Sequence, residues 1–130
     1  MKKIILILVF TIPFIAFGQT SFSCDYREYC YWNEFSGNFE DCKGYEEASL
    51  FTMNKDETMF THTIESMKST YYVKNKIEND DDEYFAYDVV SDVGNEYRYL
   101  FDFKNEEVKA MYEDEDGDSV LIRWYVKSIF

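Results

Sequence analysis

The chain has 130 residues, 13 basic and 26 acidic, for a net charge of −13, and 20% of it is aromatic. A surface this acidic repels nucleic acid and anionic lipid headgroups. The aromatic residues alternate with polar ones, so enough apolar surface can be buried to offset the entropy of ordering, and a disordered chain is excluded.

Met1 to Gly18 reads as a secretory signal peptide, with Lys2 and Lys3 before an apolar run and Ala16-Phe17-Gly18 at its end. The run is shorter than the roughly 20 residues of a membrane span, and Pro13 interrupts it. The ending Phe17-Gly18-Gln19 resembles exported proteins of the Bacteroidota. Phe22 is too bulky for the small residues that precede a lipidated cysteine, so Cys24 is not read as a lipid anchor. Cleavage after Gly18 leaves 112 residues, 19–130, enough for one compact domain. Only Lys2 and Lys3 are lost among charged residues, so the net charge becomes −15. The expected place is secreted or periplasmic, with no stable membrane insertion after cleavage.

From Tyr26 to Phe35 the chain is dense in aromatic residues and reads as a first strand, following an N-terminal arm. Ser36-Gly37-Asn38 is a turn signal. Phe39 to Gly44 is read as irregular or a short strand. Tyr45 to Met53 follows as a strand, with Phe51 and Met53 opposed to Ala48 and Leu50; a helical turn is the alternative for its Glu46-Glu47-Ala48 start. After Asn54 to Glu57, the segment Thr58 to Glu65 alternates, with Phe60, His62 and Ile64 facing one way. Ser66-Met67-Lys68 is read as a turn, and Ser69 to Ile77 as a strand with Tyr71, Val73 and Ile77 on one face. Glu78 to Glu83, including Asp80-Asp81-Asp82, is a charged loop.

The central hairpin pairs Tyr84 to Ser91 with Glu96 to Phe103 across Asp92-Val93-Gly94-Asn95, a connection rich in residues that tolerate positive φ. Tyr97, Tyr99, Phe101 and Phe103 share a face. Two further strands carry Val108, Ala110 and Tyr112, then Val120, Ile122, Trp124 and Val126. The apolar Ser128-Ile129-Phe130 end implies a docked C-terminus. Short strands with hairpin-length connections predict an all-β, antiparallel up-and-down meander of about seven to nine strands. Such a meander forms a small barrel or a two-layer sandwich.

Cys24, Cys30 and Cys42 all lie in the exported part, so one disulfide and one spare thiol are expected. Cys30–Cys42 is preferred, and closing that loop is worth about 3 kcal/mol in the chain-entropy picture; Cys24–Cys42, which would staple the N-terminal arm onto the body, is the alternative. Zinc binding has no Cys-x-x-Cys to rest on, and His62 is the one histidine.

Asp114, Asp116 and Asp118 have the alternate spacing of a calcium loop. Ser119 and Tyr125, however, stand where an EF-hand needs glycine and a bidentate carboxylate. A solvated turn is the ordinary reading and a weak cation site the alternative. No catalytic motif or cofactor fingerprint is present, so no catalytic residue and no cofactor is expected. Tyr97, Tyr99, Phe101, Phe103, His62 and Trp124 are candidates for either the core or a ligand pocket. The alternation resembles the meander of lipocalin-like and fatty-acid-binding barrels, which implies an apolar lumen. The lipocalin Gly-x-Trp is not matched, because Cys30 stands two residues before Trp32. The expected function is a non-catalytic binding or protein-interaction module of the cell envelope or exterior, with an unknown protein partner. A carrier of a small apolar or aromatic ligand is the alternative.

Overall fold

A computed structural model describes residues 19–77 and 83–130. The expected leader and the Asp80-Asp81-Asp82 run lie outside the described residues. Eight strands follow in order: β1 (Thr20–Asn33), β2 (Asn38–Met53), β3 (Met59–Ile64), β4 (Met67–Ile77), β5 (Tyr84–Ser91), β6 (Glu96–Asp102), β7 (Glu107–Glu113) and β8 (Ser119–Ile129). Each pairs antiparallel with the next, and β8 returns to β1, so the meander is a closed barrel and not a sandwich. Closure satisfies the edges that an open sheet would leave exposed.

The strand alternation sends aromatic side chains inward. Phe51, Phe60, Tyr99, Phe101 and Trp124 are almost fully buried, with Val89, Val108 and Ala110 filling between them. Polar pairs such as Arg98 with Asp88 and Arg123 with Glu28 lie on the outer surface. At the β5–β6 turn Gly94 has a φ of 90°, a conformation that side-chain-bearing residues rarely adopt.

Several boundaries differ from those expected. The N-terminal arm is the first half of β1, because Ser23 and Cys24 already pair with both β2 and β8. The segments read as irregular or a short strand (Phe39 to Gly44) and as a strand with a possible helical start (Tyr45 to Met53) form one 16-residue strand. Two bulges make this possible. Asp41 and Cys42 sit opposite Cys30, and Glu47 and Ala48 sit opposite Asp25, so β2 carries two residues more than the 14 of β1. Asp41 takes a φ of 55° to form the first.

The turn between β3 and β4 is only Glu65-Ser66, and Met67 and Lys68 belong to the strand. Ile77 does not share the face of Tyr71 and Val73. The β4–β5 register shifts between Val73 and Asn75, which brings Lys76 opposite the buried Tyr87 and turns Ile77 to pair with Ala86. The C-terminus is docked by its backbone, through reciprocal bonds between Ser21 and Phe130 of 2.7 and 2.9 Å, while the Phe130 ring stays exposed.

Candidate functional site

The barrel waist is a column of rings centred on Phe51. His62 stacks on it at 4.1 Å and 4°, and Trp124 meets it edge-on at 4.9 Å. Tyr99, Phe101 and Phe60 complete its surroundings at 6.1 to 6.3 Å. Edge-to-face and offset contacts of this kind add to the burial of the rings themselves. His62, Tyr99, Phe101 and Trp124, all candidates from the sequence, therefore meet at one level of the interior. Tyr97 lies further along at one mouth, against Tyr71 and Tyr112. Phe103 lies at the opposite end, against Phe22 and Phe85.

One interior residue gave no signal in the sequence. β1 bulges against β8 at Asp25, and the resulting change of parity turns Arg27 inward. Its guanidinium lies 4.8 Å from the centre of the Tyr29 ring and 5.3 Å from that of Trp124, and Nη1 pairs with Glu47 at 3.0 Å. Aromatic faces and a carboxylate together compensate the cost of placing this cation inside. Nearby, Arg27 Nε, Ser49 Oγ, His62 Nε2 and Trp124 Nε1 are buried and make no hydrogen bond among the described residues. Burial, and secondarily the Arg27 charge, lower the His62 pKa from 6.5 to about 4, so the ring is neutral at physiological pH. Tyr99 is pushed well above its ordinary range by burial, with Tyr71 beside it.

At the end of the barrel where β1 begins and β8 ends, a cavity of about 320 Å³ opens among Phe22, Met53, Phe85, Phe101 and Phe103. Tyr87 Oη donates to Glu57 at 2.6 Å, and Lys76 donates to the same carboxylate at 3.0 Å while lying over the Phe85 ring. The Tyr87 hydrogen bond is the largest influence holding Glu57 below the ordinary carboxylate range.

The opposite end is built differently. β3 pairs with β2 only from Ser49 to Met53. Beyond that point, β2 from Asn38 to Ala48 is paired with β1 alone, and its other edge has no strand partner among the described residues. Of its acidic side chains, Glu40 accepts from Asn33 and Glu47 from Arg27, whereas Asp41 and Glu46 project into solvent. Comparison with known proteins gives no match: no family model, no curated protein and no solved structure matches the chain.

The same β1–β2 ribbon carries exposed aromatic residues. Tyr31, Trp32 and Tyr45 are each close to half exposed and Phe35 at the tip is fully so, with Trp32 set edge-on to Phe39 at 5.2 Å. Cys30–Cys42 is the disulfide that forms, directly across this ribbon, and Cys24 is the free cysteine, buried in the interior. Glu28 lies close to both bonded cysteines, but their sulfurs are spent on one another and offer no thiolate to a metal.

The carboxylates of Asp114, Asp116 and Asp118 converge within 4.8 Å. Asp114 Oδ1 already accepts the Asp116 and Asp118 amides at 3.0 and 2.9 Å, the bonding of a hairpin turn.

Proposed function

We propose that this protein is an exported, non-catalytic interaction module that captures a basic, extended peptide segment of a partner protein on the open edge of β2. The observation that carries this reading is the mismatch between a 16-residue strand and the six-residue β3 beside it. That mismatch leaves eleven residues, Asn38 to Ala48, with a row of backbone donors and acceptors that no strand among the described residues pairs. An added strand would draw affinity from main-chain bonds and selectivity from the side chains beside it. The edge carries Glu40, Asp41, Glu46 and Glu47 against Lys43 alone. Two copies of the chain would set acid against acid, which disfavours self-pairing and favours a basic partner. The exposed rings of Tyr31, Trp32, Phe35 and Tyr45 flank the edge and suit a protein contact.

A secreted or periplasmic setting accords with the Cys30–Cys42 bond. Among the described residues no helix is long and apolar enough to cross a membrane. The barrel's ion-paired outer face and aromatic interior are the reverse of the arrangement in lipid-facing barrels. A non-catalytic role accords with His62, whose neutral ring is stacked in the core with no hydrogen bond to orient it. A carrier with a ligand in its central lumen has less support, because the waist is packed with rings.

The test is hydrogen exchange of the full exported chain with a synthetic decapeptide of alternating lysine and valine. New protection of the amides from Asn38 to Ala48, weakened by added salt and lost in Glu46→Lys with Asp41→Lys, is the expected result. Absence of protection there at millimolar peptide, or binding indifferent to the charge reversals, would overturn the proposal.

A further inference from the structure

The cavity at the end where β1 begins and β8 ends is separate from the open edge, and its lining sets what it can hold. We propose that it binds a neutral aromatic molecule of one or two fused rings. The walls are Phe22, Met53, Phe85, Tyr87, Phe101 and Phe103, and the volume is about 320 Å³. An apolar cavity of roughly 150 Å³ accepts benzene, so twice that space suits a pair of fused rings. The wall rings already stand at angles that leave faces and edges for a guest. Phe85 meets Phe103 at 87°, and Phe22 lies tilted against Phe101 and Phe103 at 5.0 and 5.5 Å.

The polar groups at the rim point to an uncharged guest. Glu57 is engaged by Tyr87 and Lys76. Asn54 accepts from the Thr58 and Met59 amides and donates to the Thr58 hydroxyl. Asn54 and Glu57 are thus satisfied by their neighbours, Lys55 at the mouth is exposed and keeps its ammonium in water, and an acidic ligand entering the cavity would face the Glu57 carboxylate. A long acyl chain fits less well, because the floor is closed. Phe101, which lines the cavity, packs behind onto Phe60 at 5.3 Å and Phe51 at 6.1 Å. A ligand here would sit in a short, wide seat at the barrel end, leaving the waist intact.

The probe is 1-naphthol, titrated into the isotope-labelled exported chain and read by nuclear magnetic resonance. Saturable shifts confined to Phe22, Met53, Phe85 and Phe103 are expected, with at least tenfold weaker binding of 1-naphthalenesulfonate and of octanoate. Thr20→Trp places a large side chain in the cavity mouth and should abolish the shifts at unchanged stability. Phe103→Trp, from another wall, is the second filling variant, so that a folding defect in one leaves the test standing. Failure to saturate, shifts spread over the surface, equal binding of the charged or aliphatic probes, or undiminished binding by both variants would overturn the proposal. None of these results bears on the β2 edge, which is some distance away at the other end of the barrel.

Discussion

The waist and the β1–β2 ribbon are made from the same kinds of residue and put them to opposite ends. At the waist, Phe51, Phe60, Tyr99 and Trp124 are enclosed by strands paired on both sides. In the ribbon, Tyr31, Trp32, Phe35 and Tyr45 are left in solvent, on a strand pair that the barrel flanks only in part. The difference lies in strand length and not in hydrophobicity: once β3 turns back at Ile64, no strand among the described residues closes over the upper half of β2. Aromatic content therefore makes a core where the barrel wall is complete and a contact surface where it is not.

The comparison can be broken most forcefully at the waist. Phe51→Ala is expected to lower stability by about 3–5 kcal/mol in urea unfolding, because a fully buried ring with five aromatic neighbours leaves a void. A loss below 1 kcal/mol would mean that the waist is not the scaffold.

Acid tests the same region. The folded pKa of His62 is lowered from 6.5 to about 4, so its contribution to stability is complete above pH 6.5 and is lost as the pH falls toward 4. The unfolded chain takes up the proton first, and by pH 4 the loss from this residue is about 3 kcal/mol. His62→Phe should flatten that part of the stability profile relative to the parent. Identical profiles would show that the imidazole is not sealed.

In the ribbon, Cys30→Ala with Cys42→Ala should cost about 3 kcal/mol in the chain-entropy picture. The accelerated hydrogen exchange should be concentrated between Tyr29 and Lys43. Uniform acceleration would instead make ribbon and waist one cooperative unit. The smallest effect belongs to Glu46→Lys, whose exposed side chain should change stability by no more than about 0.5 kcal/mol. The same substitution should weaken peptide capture severalfold, separating surface chemistry from scaffold.

The strand count and the antiparallel order were legible because period-two alternation and turn residues recur from Thr58 onward, whereas the three cysteines left Cys24–Cys42 open beside the Cys30–Cys42 pair that forms. The tall β2 was not, because its two bulges break the alternation at Asp41-Cys42 and at Glu47-Ala48 and make one strand look like two segments. Gly44 also reads as a break, although the Tyr26 ring packs directly over it and fills the place a side chain would take. Arg27 escaped for the same reason: a parity change at Asp25 is set by pairing to β8, about a hundred residues away, and leaves no local mark. Lys76 and Ile77 exchange faces through a similar irregularity in β4. The open edge is a difference between the lengths of neighbouring strands, and a chain read one segment at a time does not display it.

The burial of Cys24 has a consequence for how the oxidised chain matures. Three cysteines permit three one-disulfide isomers, and the two wrong ones each occupy Cys24. Such an isomer is incompatible with Cys24 inside the barrel and leaves a reactive thiol at Cys30 or Cys42 to attack and reshuffle the bond. In the finished fold, burial and then the neighbouring Asp25 charge push the Cys24 thiol up to about 12, so it supplies almost no thiolate. Exchange continues while the pairing is wrong and stops when it is right: the closing barrel acts as its own proofreader.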